Sequence, residues 1–416
     1  MKAKIYIPLL LLLAVIFAIV YQEWNKPEPK SAQWVEKGRW FKGNTHTHSL
    51  WSDGNDFPEM IVDWYKKEGY DFLALSDHNI LSRGEKWMSV KQIEKRRKKG
   101  DSGTVAAYRE RFGKDWVELR GEAGDEEVRL KALEEFRPRF ESEGNFLLIE
   151  AEEITDKFRQ YHIHINAINL DEVIKPQGGD SVVDTMRNNL RAVKEQSERL
   201  GRPILTHLNH PNFHWSVTPQ QLAEVVEEQF FEVYNGHPGI NHLGDTEHPS
   251  DEAIWDMAST LRMLVHDAPP LFGVATDDSH NYHGGNVSPG RGWVMVWAEE
   301  LDADQLVESM ERGEFYASTG VELKEVTYDR GSRKHVIDIT PVEGAEFETK
   351  FIGTRRSNPD ETGAVFATIS GTTAEYQLSG DELYVRAVVT STHEHSNPSY
   401  SGQKEQAWTQ PVGWRK

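Results

Sequence analysis

Residues 71–79 read DFLALSDHN: four apolar residues run into Ser76, Asp77 and His78. A short apolar run closed by polar residues reads as a strand buried on both faces, the kind a parallel sheet needs. Upstream, RWFKGNTHTH (39–48) is a second strand candidate, ending in His46 and His48. Between them NDFPEMIVDWYKKEGY (55–70) offers an Asn/Asp cap, Pro58 near the first turn, apolar residues at helical spacing and Gly69 at the stop. His48 and His78 are 30 residues apart, the length of one βαβ unit.

The alternation resumes downstream. NFLLIEAEEIT (145–155), HIHINAINL (162–170), RPILTHLNHP (202–211), FFEVYNGHP (230–238), LFGVATDDSH (271–280) and GWVMVWA (292–298) are further short apolar strands. SVVDTMRNNLRAVKEQSERLG (181–201) and TPQQLAEVVEEQ (218–229) read as helices between some of them. Strands alternating with helices imply a parallel α/β sheet, and seven or eight such strands suggest a barrel over an open sheet. Charged sequence over 81–143 interrupts the pattern and reads as a helical insertion, either a solvated appendage or a lid, since it leaves at His78 and returns before Glu153. From Val321 the helical pattern stops. KHVIDITPV, FETKFIG, AVFATIS and DELYVRAVVTST read as a small β-sandwich-like domain over 321–416, of five or six strands.

The N-terminus differs from all of this. Residues 5–21, IYIPLLLLLAVIFAIVY, are uncharged and mostly apolar, and Lys2 and Lys4 precede them. The run is short for a spanning helix and long for a signal-peptide core, and no small-x-small cleavage site follows. An uncleaved signal anchor over 1–22 is favoured over a cleaved signal peptide, with 23–38 as a linker. The flanking lysines place the body outside the cytoplasm, anchored to the membrane or free in the periplasm or medium.

A net charge of -20 argues against duplex nucleic acid as partner, since phosphate backbones need a basic surface. Zero cysteines exclude disulfides, thiolate nucleophiles and iron–sulfur clusters. Any metal must be held by His, Asp and Glu. With 17 histidines in 416 residues, random placement would supply roughly 0.7 His-x-His pairs. Three occur, at 46/48, 162/164 and 393/395, so a pair alone decides nothing. Position does. His46, His48, His78, Glu153, His210, Asp278 and His280 stand at the ends of successive apolar strands, with His164 inside another. In a parallel barrel those ends meet at one mouth, where active sites are built. Residues two apart on an extended segment point the same way, so His46/His48 and Asp278/His280 can each act together.

The motifs HTHSLWSDG, SDHN, EEIT, HINAI, NHPN and TDDSH, in that order, resemble those of the polymerase-and-histidinol-phosphatase (PHP) metallohydrolases. The resemblance covers roughly 38–320, and GRGWVMVWAEELDADQLVESMERGEFYASTG (290–320) is similar to the subgroup with carbaryl-hydrolase-like proteins. It implies a distorted (β/α)7 barrel with two or three divalent transition-metal ions, manganese, iron or zinc, at its mouth. It places His46, His48, Glu153 and Asp278 around one metal. Glu153 would bridge to a second held by His164 and His210, and Asp53, His78 and His280 would hold a third. The family often carries histidine where this chain has Asp53. Glu152, His162 and His207 fit the motifs less well than their neighbours Glu153, His164 and His210. His393 and His395 read as surface histidines in a loop.

Three divalent ions against Asp53, Glu153 and Asp278 leave an excess near plus three, which favours a small anion such as a phosphate ester. Arg291 is a candidate phosphate clamp or a structural pair. The leading function is a phosphoesterase that uses metal-bound hydroxide at a di- or trinuclear site, with Asp278 also accepting a proton. Carboxylester or carbamate hydrolysis is the alternative from the subgroup resemblance, and a non-catalytic metal-containing surface protein is the third. A serine hydrolase is disfavoured, because no Gly-x-Ser-x-Gly turn is present.

Overall fold

The computed structural model describes residues 37–97, 103–141 and 144–415. The expected anchor over 1–22 lies outside the described residues, among which no helix is long and apolar enough to cross a membrane.

Seven strands carry the site: β1 (Arg39–Asn44), β2 (Phe72–Leu75), β3 (Leu147–Phe158), β4 (Tyr161–Ile168), β5 (Leu205–Leu208), β6 (Phe230–Asn235) and β7 (Phe272–Thr276). They pair in chain order within one large sheet. The outer strands of this run of seven approach each other just past β1 and β7, where Thr47 and Ser279 form a parallel bridge and the Asp278 amide donates to the His46 carbonyl at 3.0 Å. The first residues of these strands, among them Phe72, Leu205, Phe230 and Phe272, pack into one apolar cluster. Polar residues gather at the opposite end.

The expected all-parallel order fails at β4, which runs antiparallel to both β3 and β5. Only Arg159 and Gln160 separate β3 from β4, and a parallel return needs a crossover of a dozen residues or so. Arg159 takes a left-handed φ of 55° to make the turn. The other neighbours, β1–β2, β2–β3, β5–β6 and β6–β7, are parallel.

Helix Val182–Leu200 returns the chain from β4 to β5; Ser181 caps it by accepting from the Asp184 amide, and Gly201 ends it at φ 64°. Its buried face, with Val182, Met186 and Leu190, joins the core. Helix Asp251–Val265 seats Trp255 against β7, where a Cβ on Gly273 would come within 2.7 Å of the ring. Helix Pro58–Lys67 begins at Pro58 without the expected side-chain cap: Phe57 is the capping residue, and Asp56 bonds the Phe57 amide instead.

The insertion is not purely helical. Lys86–Ser89, Leu119–Arg120 and Glu127–Leu130 form a three-stranded sheet beside helices Val90–Arg96, Thr104–Phe112 and Leu133–Phe140. Charge on alternate residues, as in EVRL, suits a strand with one buried face as well as a solvated helix. Its core of Met88, Ile93, Val105, Tyr108 and Val128 takes in Leu50, Trp51 and Phe57 from the loop after β1.

After β7 the chain adds β8 (Trp293–Ala298) antiparallel to β1 and β9 (Phe315–Ser318) antiparallel to β8. Strand Lys404–Thr409 then pairs with β9, so the large sheet runs on into Glu382–Glu394, Phe347–Arg355 and Ala364–Ser370. A separate sheet of Leu323–Asp329, Lys334–Ile339 and Thr373–Gln377 shares a core with it through Ile337, Phe351 and Val385.

Candidate metal centre

All nine residues expected as ligands meet at the polar end of the rolled sheet. His46 and His48 leave β1 on an extended segment, and their Nε2 atoms lie 3.1 Å apart. Asp278 Oδ1 is 3.3 Å from the first and 3.1 Å from the second. Glu153, buried in β3, reaches both with its two oxygens at 3.5 Å. The same carboxylate lies 2.9 Å from His164 Nδ1, 3.4 Å from His210 Nε2 and 2.7 Å from His78 Nδ1. Asp53 Oδ1 faces His78 Nε2 at 3.5 Å and His280 Nε2 at 3.3 Å. Three groups could therefore hold an ion: His46/His48/Glu153, Glu153/His164/His210 and His48/Asp53/His78/His280.

The donors fit divalent transition metals. They are imidazole nitrogens and carboxylate oxygens only, the set that suits zinc, iron and manganese. Ligands about 2.1 Å from an ion and at right angles are about 3 Å from each other, close to the separations around Asp278. Among the described residues, Glu153 Oε2 and His164 Nδ1 are buried without a well-directed hydrogen bond, although each lies within 3 Å of a group of opposite kind in the cluster, Glu153 Oε2 2.7 Å from His78 Nδ1 and His164 Nδ1 2.9 Å from Glu153 Oε1. Such orphans are rare without a ligand to satisfy them.

The backbone is strained at two of these positions. Asp278 and His210 have φ of 47° and 26°, where non-glycine residues are seldom found. His164 reaches the group from the first half of β4, because that strand runs backwards; it sits opposite Thr155 of β3. Asp53 is the most exposed member at 55 % of its side chain. The insertion fixes its turn: Arg96 donates to the Ser52 and Gly54 carbonyls at 2.8 and 2.9 Å, Lys86 to the Trp51 carbonyl, and the Trp51 indole to the Lys131 carbonyl at 3.2 Å.

Burial works against charge on Glu153 and Asp278, but the imidazoles around them outweigh it and hold both well below the usual carboxylate range. His48, buried and beside His280 and His78, is pushed down to about 4 and stays neutral. Ionised carboxylate and neutral imidazole are the forms that bind metal. Burial also opposes charge on His46, yet Asp278, Glu232 and Glu153 raise its pKa well above the ordinary value. A bound cation would displace that proton.

Four supporting residues were not singled out by sequence reasoning. Glu232 of β6 is buried and its Oε1 lies 2.7 Å from His46 Nδ1, while Oε2 accepts from the His210 amide at 2.7 Å. Thr276 donates to Glu232 at 2.7 Å. Asn235 bridges Glu232 and Asp278 at 2.8 and 3.1 Å, and Asn209 donates to Glu153 Oε1 at 2.8 Å. Such partners fix the tautomer and direction of a ligand. The one sequence signal was an acid in the middle of FFEVYN, an otherwise apolar run.

Two expectations are corrected. Arg291 does not face the cluster as a clamp: it is buried, and its guanidinium donates to the Gly236 carbonyl at 2.8 Å, to the Asn286 carbonyl and to Asn397. Those acceptors engage all three of its nitrogens, which favours the structural alternative. His395 is not a surface residue: it is buried, with Nε2 3.1 Å from the Arg291 carbonyl and Nδ1 accepting from the Asn397 amide at 2.9 Å. The loop carrying it folds back onto the β7–β8 connection; His393 stays half-buried.

The neighbours of the ligands have other places. Glu152 accepts from the Ile174 amide at 2.5 Å, away from the cluster. His162 is half-buried beside His214. His207 is fully buried with its ring 6.4 Å from that of His46.

No protein-family model matches the chain, and no curated protein matches it. Among solved structures it is similar to a two-domain protein of Bacteroides vulgatus containing a predicted PHP-like metal-dependent phosphoesterase, at 16 % identity, TM-score 0.40, over 91 % of this chain and 96 % of that one. A protein of Bifidobacterium adolescentis named as a metal-dependent phosphoesterase matches at 14 % identity, TM-score 0.34, over 65 % of this chain and 96 % of that one. PsfC of Pseudomonas syringae matches at 12 % identity, TM-score 0.35, over 65 % and 88 %.

Proposed function

We propose that the chain is a divalent-metal-dependent phosphoesterase of the PHP kind, built on a distorted seven-stranded barrel with a two- or three-ion centre at its mouth. The observation that carries this reading is Glu153, one buried carboxylate within 3.5 Å of imidazole nitrogens from His46, His48, His78, His164 and His210. A structural ion pair has no use for five imidazoles around one acid; a carboxylate shared between cations does.

When bound, divalent ions supply positive charge for phosphoryl oxygens and lower the pKa of a water to the working range. The chain's own residues set how much charge remains. Glu232 adds a fourth carboxylate to Asp53, Glu153 and Asp278, so three ions leave an excess near plus two and two ions leave none. Attraction of a phosphate ester therefore argues for three. Asp278, held by Asn235 through Oδ2, presents Oδ1 to the reacting centre and is the proposed proton acceptor. Asp53 completes the third set from a turn that the insertion braces.

Phosphate chemistry is preferred over carbonyl chemistry on charge. A phosphoryl transition state spreads charge over several oxygens that two or three ions can share, whereas attack on a carbonyl develops one oxyanion. The test loads the protein with manganese and compares matched aryl phosphates with aryl acetates and carbamates. Faster turnover of the phosphates is expected; a kcat/KM higher on the carbonyl substrates by about a hundredfold replaces this reading with ester or carbamate hydrolysis. Fewer than one metal per chain after reconstitution removes both.

A further inference from the structure

We infer that the C-terminal β region holds a second anion site, separate from the metal centre, for a compact anion bearing two phosphate or sulfate groups. A cavity of about 510 Å³ is lined there by Arg330, Arg333, Arg356 and Arg415, with Tyr328 and Leu378 among its walls. The four arginines come from three places far apart in the chain: the hairpin between Leu323–Asp329 and Lys334–Ile339, the turn after Phe347–Arg355, and the C-terminal segment. Only the tertiary fold brings them together.

Their lack of carboxylate partners is the informative feature; Arg415 lies over the Trp414 ring at 4.6 Å. Acidic residues outnumber basic ones 67 to 47, so an arginine in this chain has acids to choose from. Among the described residues none of the four has a carboxylate within ion-pair distance. The one acid lining the cavity, Glu382, is already engaged by Tyr376 at 2.9 Å, by Ser379 at 2.9 Å, by the Gly380 amide at 2.9 Å and by Arg355, outside the lining, at 3.4 Å. The Tyr328 hydroxyl makes no hydrogen bond to a described residue. Gly380 sits at φ 97°, and a Cβ there would lie 2.5 Å from Arg333 Nη1, so the backbone makes room for the guanidinium. Arg415 has its pKa lowered by burial and by Arg330 beside it, against the pull of Glu314.

Like charges brought together cost free energy unless something neutralises them. Guanidinium groups present planar donor pairs that match phosphate and sulfate oxygens. Four of them around a concave space call for more than one anionic group, and a hollow of this size suits a small molecule over a flat surface. The site is also remote in the fold from the proposed reaction. Trp414, next to Arg415, packs against the apolar cluster that holds Phe72, Leu205, Phe230 and Phe272 at the starts of their strands, and the candidate metal ligands gather at the opposite, polar end of the sheet.

The test uses the full metal-loaded chain and imidodiphosphate, a diphosphate analogue resistant to hydrolysis, in a calorimetric titration. The metal centre can take the same probe, so the readout is the difference between proteins. Arg333→Gln/Arg356→Gln, both exposed, should lose one bound imidodiphosphate per chain or bind it at least about tenfold more weakly, and Arg330→Gln/Arg415→Gln should do the same. Each variant should melt no lower than wild type without ligand and show a smaller rise with imidodiphosphate than wild type does. Equal stoichiometry and affinity in wild type and both double variants would overturn the site. Vesicles of phosphatidylcholine with phosphatidic acid form the other arm. Capture of wild type but not of Arg333→Gln/Arg356→Gln, with no free imidodiphosphate bound, would overturn the free-anion assignment in favour of a lipid headgroup.

Discussion

Histidines at the polar end of the large sheet and histidines in the C-terminal region are equally buried, yet they keep different company. His46 and His48 are fully inaccessible, and so is His335. His335 has one fixed partner on each ring nitrogen, the Thr327 carbonyl at 2.8 Å and the Thr409 hydroxyl at 3.4 Å, and burial pushes it down to about 4. His395 is tied in the same way, to two backbone groups. His46 and His48 instead face each other and the carboxylates of Glu153 and Asp278. Burial alone does not separate a structural histidine from a metal ligand. The chemistry of the partners does: neutral oxygens satisfy an imidazole, whereas carboxylates and further imidazoles leave room for a cation.

The comparison breaks most decisively at Glu153. Glu153→Ala should release at least one ion per chain and lower kcat/KM by at least about a thousandfold, because two of the three candidate ion groups share its carboxylate. Elemental analysis with circular dichroism separates this from unfolding; a folded variant with its full metal complement would mean that Glu153 is no ligand. Glu232→Gln tests the layer behind. The loss of a carboxylate against His46 Nδ1 should weaken metal binding about 10–100-fold in competition with a chelator, with the fold intact. Unchanged affinity would reduce Glu232 to packing.

Glu228 sharpens the contrast from the other end of the sheet. Buried at the start of β6, it is raised from 4.5 to about 7 by desolvation, against hydrogen bonds from the Phe230 amide, Thr206 and the Gln229 amide. An acid raised on folding is disfavoured as the anion, so the wild type loses stability as pH rises from 4.5 to about 7 and loses no more above it. Glu228→Gln cannot ionise. Its advantage over wild type should be near zero below pH 4.5 and reach roughly 3 kcal/mol above neutrality. Denaturant unfolding across pH measures it, and a pH-independent difference would show that Glu228 is ionised in the fold. The smallest effect is expected at His395. His395→Ala should cost about 1–2 kcal/mol through two lost hydrogen bonds and leave metal content untouched. Loss of metal in that variant would join the C-terminal loop to the centre.

That the candidate ligands would meet was legible because one-dimensional order carried it. His46, His48, His78, Glu153, His210, Asp278 and His280 each stand just past or late in an apolar strand, and parallel strands bring such positions to one end without further information. His164, placed inside a strand and assigned by the resemblance, reaches the cluster for a separate reason. It lies early in β4, and only the two-residue turn at Arg159–Gln160, readable in retrospect, turns that strand round and delivers it to the mouth. Glu232 and Asn235 were not legible as supports. Their roles depend on which face of β6 turns inward and on a partner, His46, 186 residues earlier.

Arg291 and His395 show the limit from the other side. As residue types they suit a phosphate clamp and an exposed loop; in the fold they satisfy each other's surroundings, His395 on the Arg291 carbonyl and Arg291 on Asn397. The local sequence determined the strands, the main helices and the residues offered to a metal, because hydrophobic period and strand-end position are short-range properties. Tertiary structure alone decided which acids stand behind the ligands, where the sheet meets itself, and that four arginines from three distant segments share one hollow, because those depend on contacts between residues the chain keeps far apart.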